Sequence, residues 1–287
     1  MTRRTLMGSL TAATGWLLSG CSAAGALDAL VPSGTYDLRE GQAYGPLPRQ
    51  KLDVYLPRQP VAKPPLVVFF YGGAWTRGER AQYRFVGEAL ASQGVAVAVA
   101  DYRLSPEVRW PTILEDCAAA TQWAITHATG LGCDPQRVFL MGHSAGAYNA
   151  AMLALDPRWL AAQQLKPAQL AGWIGLAGPY DFLPIVDRDS RVAFDWPNTP
   201  RDSQPIHHVS SAAPRALLLA AQKDGTVNPQ RNTLGLAAKL EAAGVPVRVR
   251  VLERVNHVTL VGALSRPLAW LAPVREEVLG FIAPPTA

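Results

Sequence analysis

Cysteine and charge are both scarce in this chain of 287 residues. It has three cysteines, Cys21, Cys117 and Cys133, with no Cys-x-x-Cys pair and no Cys/His cluster. That usage excludes the common structural zinc sites, and neither a metal nor a cofactor is expected. Cys117 and Cys133 either pair or remain buried thiols, and the sequence leaves that open. Charged residues make up only 17% of the chain, and the net charge is +5. The basic residues are scattered, with no stripe interleaved with aromatics, so nucleic acid is not an expected partner. No internal repeat is present. What remains is a globular composition, 49% hydrophobic, long enough for one large α/β domain or two small ones.

The N-terminus reads as an address. Arg3 and Arg4 precede an apolar run over 6–18, followed by Leu18-Ser19-Gly20-Cys21. A basic start, a short apolar stretch and a small-residue exit describe an export signal over 1–20. The run is too short to span a bilayer comfortably. Leu-Ser-Gly-Cys resembles the bacterial lipobox, in which the cysteine is lipidated and becomes the new N-terminus. Cys21 is therefore the expected lipidation site, and the expected location is the cell envelope, on a periplasm-facing membrane. Thr2-Arg3-Arg4-Thr5-Leu6 also resembles a twin-arginine export signal.

Residues 21–48 are rich in Ala, Gly, Pro and Ser and read as a tether with a leading strand or loop. From residue 49 onward, strands alternate with helices. Strands are expected over 52–56, 66–70, 95–100, 137–141, 172–177, 216–221 and 247–252. Helices are expected over 82–93, 111–127, 145–155, 231–243 and 275–282. This alternation predicts a mostly parallel, doubly wound α/β sheet with helices on both faces. One long stretch, 181–214, breaks the alternation and carries five prolines. It reads as a small lid or partial cap.

Gly142-His143-Ser144-Ala145-Gly146 lies between an apolar strand and an Ala-rich helix. Gly-x-Ser-x-Gly at such a junction is the nucleophile-elbow pattern. The turn is so sharp that side chains two positions from the serine would clash. It exposes the hydroxyl at the C-terminal edge of the sheet, where open α/β sheets place their sites. The competing reading is a phosphate-binding or purely structural glycine turn. Ser144 is the candidate nucleophile.

Together with Tyr71-Gly72-Gly73-Ala74-Trp75 and Asp101-Tyr102-Arg103-Leu104-Ser105-Pro106, this motif resembles the esterase branch of the α/β-hydrolase superfamily. That branch includes relatives of hormone-sensitive lipase, kynurenine formamidase and prenylcysteine methylesterase. The resemblance covers roughly 51–282 and implies an α/β-hydrolase fold. It also implies oxyanion donors from Gly72, Gly73 and Ala74, joined by Ala145 after the nucleophile. Such relatives usually have histidine where this chain has Tyr71.

A serine hydroxyl needs a base, usually a histidine oriented by a carboxylate. The expected chain order is Ser, acid, His. His257 follows the final strand and is the expected base. Asp224 follows the strand at 216–221 and matches the acid in the relatives' Asp-x-x-Val-x-Pro segment. Asp181 and Glu253 are its rivals; Asp181 is read as the cap of the next helix. Trp75, Tyr148 and Trp196 are substrate-pocket candidates, with ordinary core an equal reading. The expected function is hydrolysis of a small-molecule carboxylic ester. The alternatives are an amide or formamide hydrolase and a non-catalytic envelope binding protein. Oligomeric state is not readable.

Overall fold

The computed structural model describes residues 27–283. The export segment and Cys21 lie outside the described residues. The continuous apolar runs become the middle of one sheet. β1 (Tyr36–Ala43) and β2 (Lys51–Pro57) lie at one edge. β3 (Leu66–Phe70), β4 (Ala96–Ala100), β5 (Val138–His143), β6 (Gly172–Leu176) and β7 (Ala216–Ala221) are buried at every position. Strands covered on both faces need no polar side, which is why these show no alternation. β8 (Val247–Leu252) closes the far edge and alternates valine with arginine, as a strand with a solvated side does.

The spatial order is β1-β2-β4-β3-β5-β6-β7-β8. β2 runs antiparallel to β1 and β4, and every other neighbouring pair is parallel. Eight helices accompany the strands among the described residues: α1 (Arg84–Ala91), α2 (Thr112–His127), α3 (Ala145–Leu155), α4 (Pro157–Ala161), α5 (Arg188–Ala193), α6 (Gly235–Ala242), α7 (His257–Gly262) and α8 (Val274–Ile282). This is the expected doubly wound α/β-hydrolase fold. α3 is buried along its whole length. Its Ala and Gly positions let the helix lie close against the strands.

The register decides which loops meet. Phe70 pairs with Gly142 and with Ala100, so the turn after β3 stands beside the turn after β5. Ala221 pairs with Leu252, so the segments after β7 and β8 also emerge side by side. All four segments leave the same C-terminal edge of the sheet.

Several expectations need correction. Residues 36–43, inside the segment read as a tether with a leading strand or loop, form that strand, β1. Tyr36 packs on Tyr55 with ring centroids 5.3 Å apart. The Gly41 N–H donates to Asp53 Oδ1 at 2.7 Å where the β1–β2 register shifts. The helices expected over 82–93 and 231–243 are shorter, each led by a tighter or wider turn, Arg80–Tyr83 and Gln230–Leu234. α4 was not foreseen; Asp156 caps it by accepting from Arg158 N–H, with Pro157 at its first position.

The stretch 181–214, read as a small lid or partial cap, is packed onto the body. It contains α5 and two short turns, and it buries Ile185, Phe194, Ser203, Gln204 and Ile206 in the body. Gln204 Oε1 accepts from Phe182 N–H at 2.8 Å, which ties the stretch to itself. Cys117 and Cys133 are both free and buried. Burial pushes the Cys133 thiol up to about 11 and the Cys117 thiol well above its ordinary value, so neither is a reactive thiolate at neutral pH.

Candidate active site

Ser144 sits in the turn between β5 and α3 with φ 54° and ψ −121°. Such a backbone costs a residue with a side chain about 1–3 kcal/mol and persists only where the surroundings over-determine it. Here the Ser144 N–H donates to Leu176 O at 2.9 Å, and α3 begins at the next residue.

Two residues from distant strand ends reach this hydroxyl. Ser144 Oγ–H donates to His257 Nε2 at 2.9 Å, and His257 Nδ1–H donates to Asp224 Oδ2 at 2.7 Å. A carboxylate only accepts, so it holds the proton on Nδ1 and leaves the Nε2 lone pair for the serine. The other carboxylate oxygen accepts from Thr226 N–H at 2.8 Å and Val227 N–H at 2.9 Å. Burial alone would raise the Asp224 carboxyl. The hydrogen bond and charge of His257, with those two amides, outweigh it and hold Asp224 below the usual carboxylate range. Its ionised state is therefore secure at neutral pH. The stability this lends is present above the ordinary carboxylate value and is lost as pH falls through the lower folded one.

His257 was expected in a loop. It is instead the first residue of α7, capped by Asn256, whose Oδ1 accepts from Val258 N–H and Thr259 N–H. The Thr259 hydroxyl answers by accepting from Asn256 N–H at 2.8 Å. This reciprocal cap fixes where α7 starts, and so where the imidazole stands. Asn-x-x-Thr was the signal in the sequence that marks it.

His143 has a role the sequence reading missed. Its Nε2–H donates to the His257 backbone carbonyl at 2.8 Å, and the two rings lie 4.9 Å apart. His143 thus holds the backbone that carries the His257 ring. Burial, then the charge of His257, pushes its pKa down from 6.5 to about 3. The unfolded chain binds a proton there between those values and the folded chain does not. Stability should therefore fall as pH drops from about 6.5 toward 3, by up to about 1.4 kcal/mol per unit from this group alone. His143→Gln keeps a donor near the Nε2 position and cannot titrate. Urea unfolding at pH 6 and pH 4.5 should show a shallower loss for that variant; an unchanged slope would contradict the assignment.

The expected oxyanion donors come from two segments that the register brings together. Ala145 opens α3, so its N–H has no carbonyl one turn earlier in the helix. Gly73 and Ala74 lie beyond the end of β3, outside the sheet ladder. A Cβ on Gly72 would stand 3.0 Å from Ser144 Cβ, which measures how closely this loop approaches the serine. Gly73 has φ +126°, and a Cβ there would meet Arg77 O at 2.2 Å. Only glycine fits, and the turn after it is closed by Thr76 N–H and Arg77 N–H donating to Gly73 O.

Tyr71, the departure from the relatives' histidine, anchors this loop. It is fully buried, and its ring stacks on Tyr102 at 4.8 Å. Its hydroxyl donates to Asp101 Oδ1 at 2.8 Å and accepts from Arg49 Nη2 at 2.7 Å. Arg49 also donates to Gly78 O at 2.7 Å, at the far end of the loop. Arg80 completes the set, bridging Asp53 at 2.8 Å and Asp101 at 2.6 Å. The Asp101 motif was visible in the sequence, but its partners at Arg49, Tyr71 and Arg80 were not.

The pocket candidates fare differently. Trp75 and Tyr148 are 2% and 1% exposed and belong to an aromatic cluster with Phe182 and Phe194. Trp75 Nε1–H donates to Asn149 Oδ1, and Tyr148 O–H donates to Ser203 O. With their polar atoms satisfied, both are core that ties 181–214 to the loop after β3. Trp196 alone of the three is half-buried. Asp181 is no helix cap; it pairs with Arg231 at 2.9 Å, while Asp187 caps α5. Among the described residues, no cluster of His, Cys, Asp and Glu suits a metal ion. No helix among them is long and apolar enough to cross a membrane.

The chain is similar to known proteins. A family model described as BD-FAE matches residues 52–240. The isoprenylcysteine alpha-carbonyl methylesterase ICME of Arabidopsis thaliana is 34% identical over 157 residues, covering 52% of this chain and 36% of that protein. Esterase LipC of Mycobacterium tuberculosis is 31% identical over 208 residues, covering 66% of this chain and 52% of that protein. The chain thus spans about half the length, or less, of these curated relatives. Among solved structures, an inhibited esterase B from Lactobacillus rhamnosis superposes with a TM-score of 0.76 at 22% identity, over 91% of each chain.

Proposed function

Because the chain belongs to the BD-FAE family, in the esterase branch of the α/β-hydrolases, we propose that it is a serine hydrolase of carboxylic esters. One observation carries this reading: the continuous hydrogen-bonded path from Ser144 through His257 to Asp224. In the proposed reaction, Ser144 Oγ attacks the ester carbonyl carbon as its proton passes to His257 Nε2. Asp224 stabilises the imidazolium without taking the proton. The Gly73 and Ala145 N–H groups receive the negative charge that develops on the carbonyl oxygen. The alcohol leaves with the proton from His257, and water repeats the sequence on the acyl-enzyme. Gly72 and Ala74 shape the same turn.

Relatives named as a methylesterase and an esterase support the ester over other acyl compounds. The test is a panel of p-nitrophenyl esters of increasing acyl length, run beside N-formylkynurenine on the protein lacking residues 1–21. Ester turnover should exceed formamide turnover at least tenfold. A faster formamide would make the protein an amide hydrolase with the same residues. Failure of Ser144 to label with a fluorophosphonate would leave only a binding protein.

We also propose that the protein is exported and tethered through a lipid on Cys21. The sequence at 18–21 supports this. Mass spectrometry of the mature N-terminus should find a lipidated Cys21, and an unmodified start elsewhere would refute it.

A further inference from the structure

We propose that the face around Trp270 rests on the lipid bilayer and holds the Ser144 site at the membrane surface, where it takes esters dissolved in the lipid. The proposal rests on the Cys21 tether and extends the esterase reading to a substrate class.

Leu27 is where the described chain begins. A Cβ on Gly262 would stand 3.4 Å from Leu27 Cδ1 and 3.0 Å from Leu268 Cδ1, so both leucines converge on the end of α7. Cys21 lies six residues before Leu27. Fully extended, those residues reach about 20 Å. A lipid on Cys21 therefore holds this face near the bilayer and keeps the opposite face away from it.

Apolar side chains near this point stand in solvent. Leu30, Val258 and Trp270 are 63%, 41% and 72% exposed. Leu30 N–H donates to Leu27 O, which places Leu30 one turn from Leu27. Val258 is one helical turn from Gly262 on the same side of α7. Trp270 stands in the same short turn as Leu268, Arg266–Leu271. Tryptophan suits a membrane interface, with an apolar body and one polar N–H.

Trp270 also borders a groove of about 560 Å³ with Val251, Leu252 and Leu271. Arg254, Glu253 and Glu276 line it as well, so opposite charges are mixed with the apolar side chains. The groove follows the end of β8 into the segment that delivers His257. Val258 is the residue next to His257, so the apolar face begins beside the site. α7 is only about 9 Å long. A lipid tether, an exposed tryptophan and the site thus share one end of the molecule.

The experiment uses full-length lipidated protein in phosphatidylethanolamine/phosphatidylglycerol vesicles, with and without brominated acyl chains. Brominated lipid should quench the wild-type tryptophan fluorescence, and Trp270→Phe should remove at least half of that quenching. Equal quenching in both proteins, or none in the wild type, overturns the proposal. The latter is also the outcome if a protein partner, not lipid, covers this face. Trp270→Ser should lower hydrolysis of vesicle-dissolved p-nitrophenyl palmitate about fivefold and leave p-nitrophenyl acetate unchanged. Unchanged rates on both esters overturn the substrate class. Mass spectrometry of the N-terminus scores the tether separately. An inactive wild type with intact quenching overturns the esterase reading and leaves the membrane face standing.

Discussion

Ser144→Ala is expected to lower kcat/KM for p-nitrophenyl acetate by about 10⁴-fold or more. The substitution removes one oxygen and nothing else from the fold. Ser144 holds its backbone at φ 54° through its N–H to Leu176 O, which alanine keeps. His257 loses the partner on Nε2 but keeps Asp224 on Nδ1. The variant should therefore fold with an unchanged far-ultraviolet circular dichroism spectrum and fail to label with a fluorophosphonate. Retention of most of the activity would refute Ser144 as nucleophile. A Ser144→Ala/His257→Ala double variant should be little worse than the single one, because residues that act as one unit do not contribute additively.

Gly146→Ala should instead destabilise the fold. A Cβ there would stand 1.9 Å from Phe70 O, 2.4 Å from Phe70 C and 2.6 Å from Tyr71 O. Those atoms are backbone at the end of β3, with no flexible side chain to yield. Either α3 lifts from the sheet or the loop carrying Gly72 and Gly73 moves. The expected cost is about 3 kcal/mol or more. For a domain of this size that is a fall in Tm of roughly 10 °C, measured by scanning calorimetry. Gly130→Ala is the control, since nothing lies within 4 Å of a Cβ there. Its Tm should stay within about 2 °C. Equal stability of both variants would show that α3 does not need close approach at Gly146. The glycine of the elbow is therefore a packing residue of the β3 loop as much as a turn residue of the serine.

Much of this was legible in the chain itself. Apolar runs such as Leu66–Phe70 marked strands buried on both faces, because burial on both sides leaves no position for a polar residue. Gly142-His143-Ser144-Ala145-Gly146 marked the turn, because few other residues survive such close backbone contacts. Asp224 and His257 could be picked by chain order after known strand ends. Each of these signals is local: a residue type, a spacing, a flanking strand.

What stayed hidden depends on partners far away in sequence. β1 could be read only as a leading strand or loop without bounds, because an edge strand has little apolar content of its own and its pairing with β2 defines it. Trp75 and Tyr148 read equally as pocket or core, because an aromatic side chain carries no mark of which way it faces. Tyr71 looked like a defect in a motif until Arg49 and Asp101 closed on its hydroxyl. His143 looked idle until α7 placed the carbonyl of His257 on its ring. The sequence by itself determined the fold class and pointed to Ser144, Asp224 and His257 as the candidate nucleophile, acid and base. Only the tertiary structure decided how those groups are held, because buried hydrogen bonds and packing join residues that no spacing rule connects.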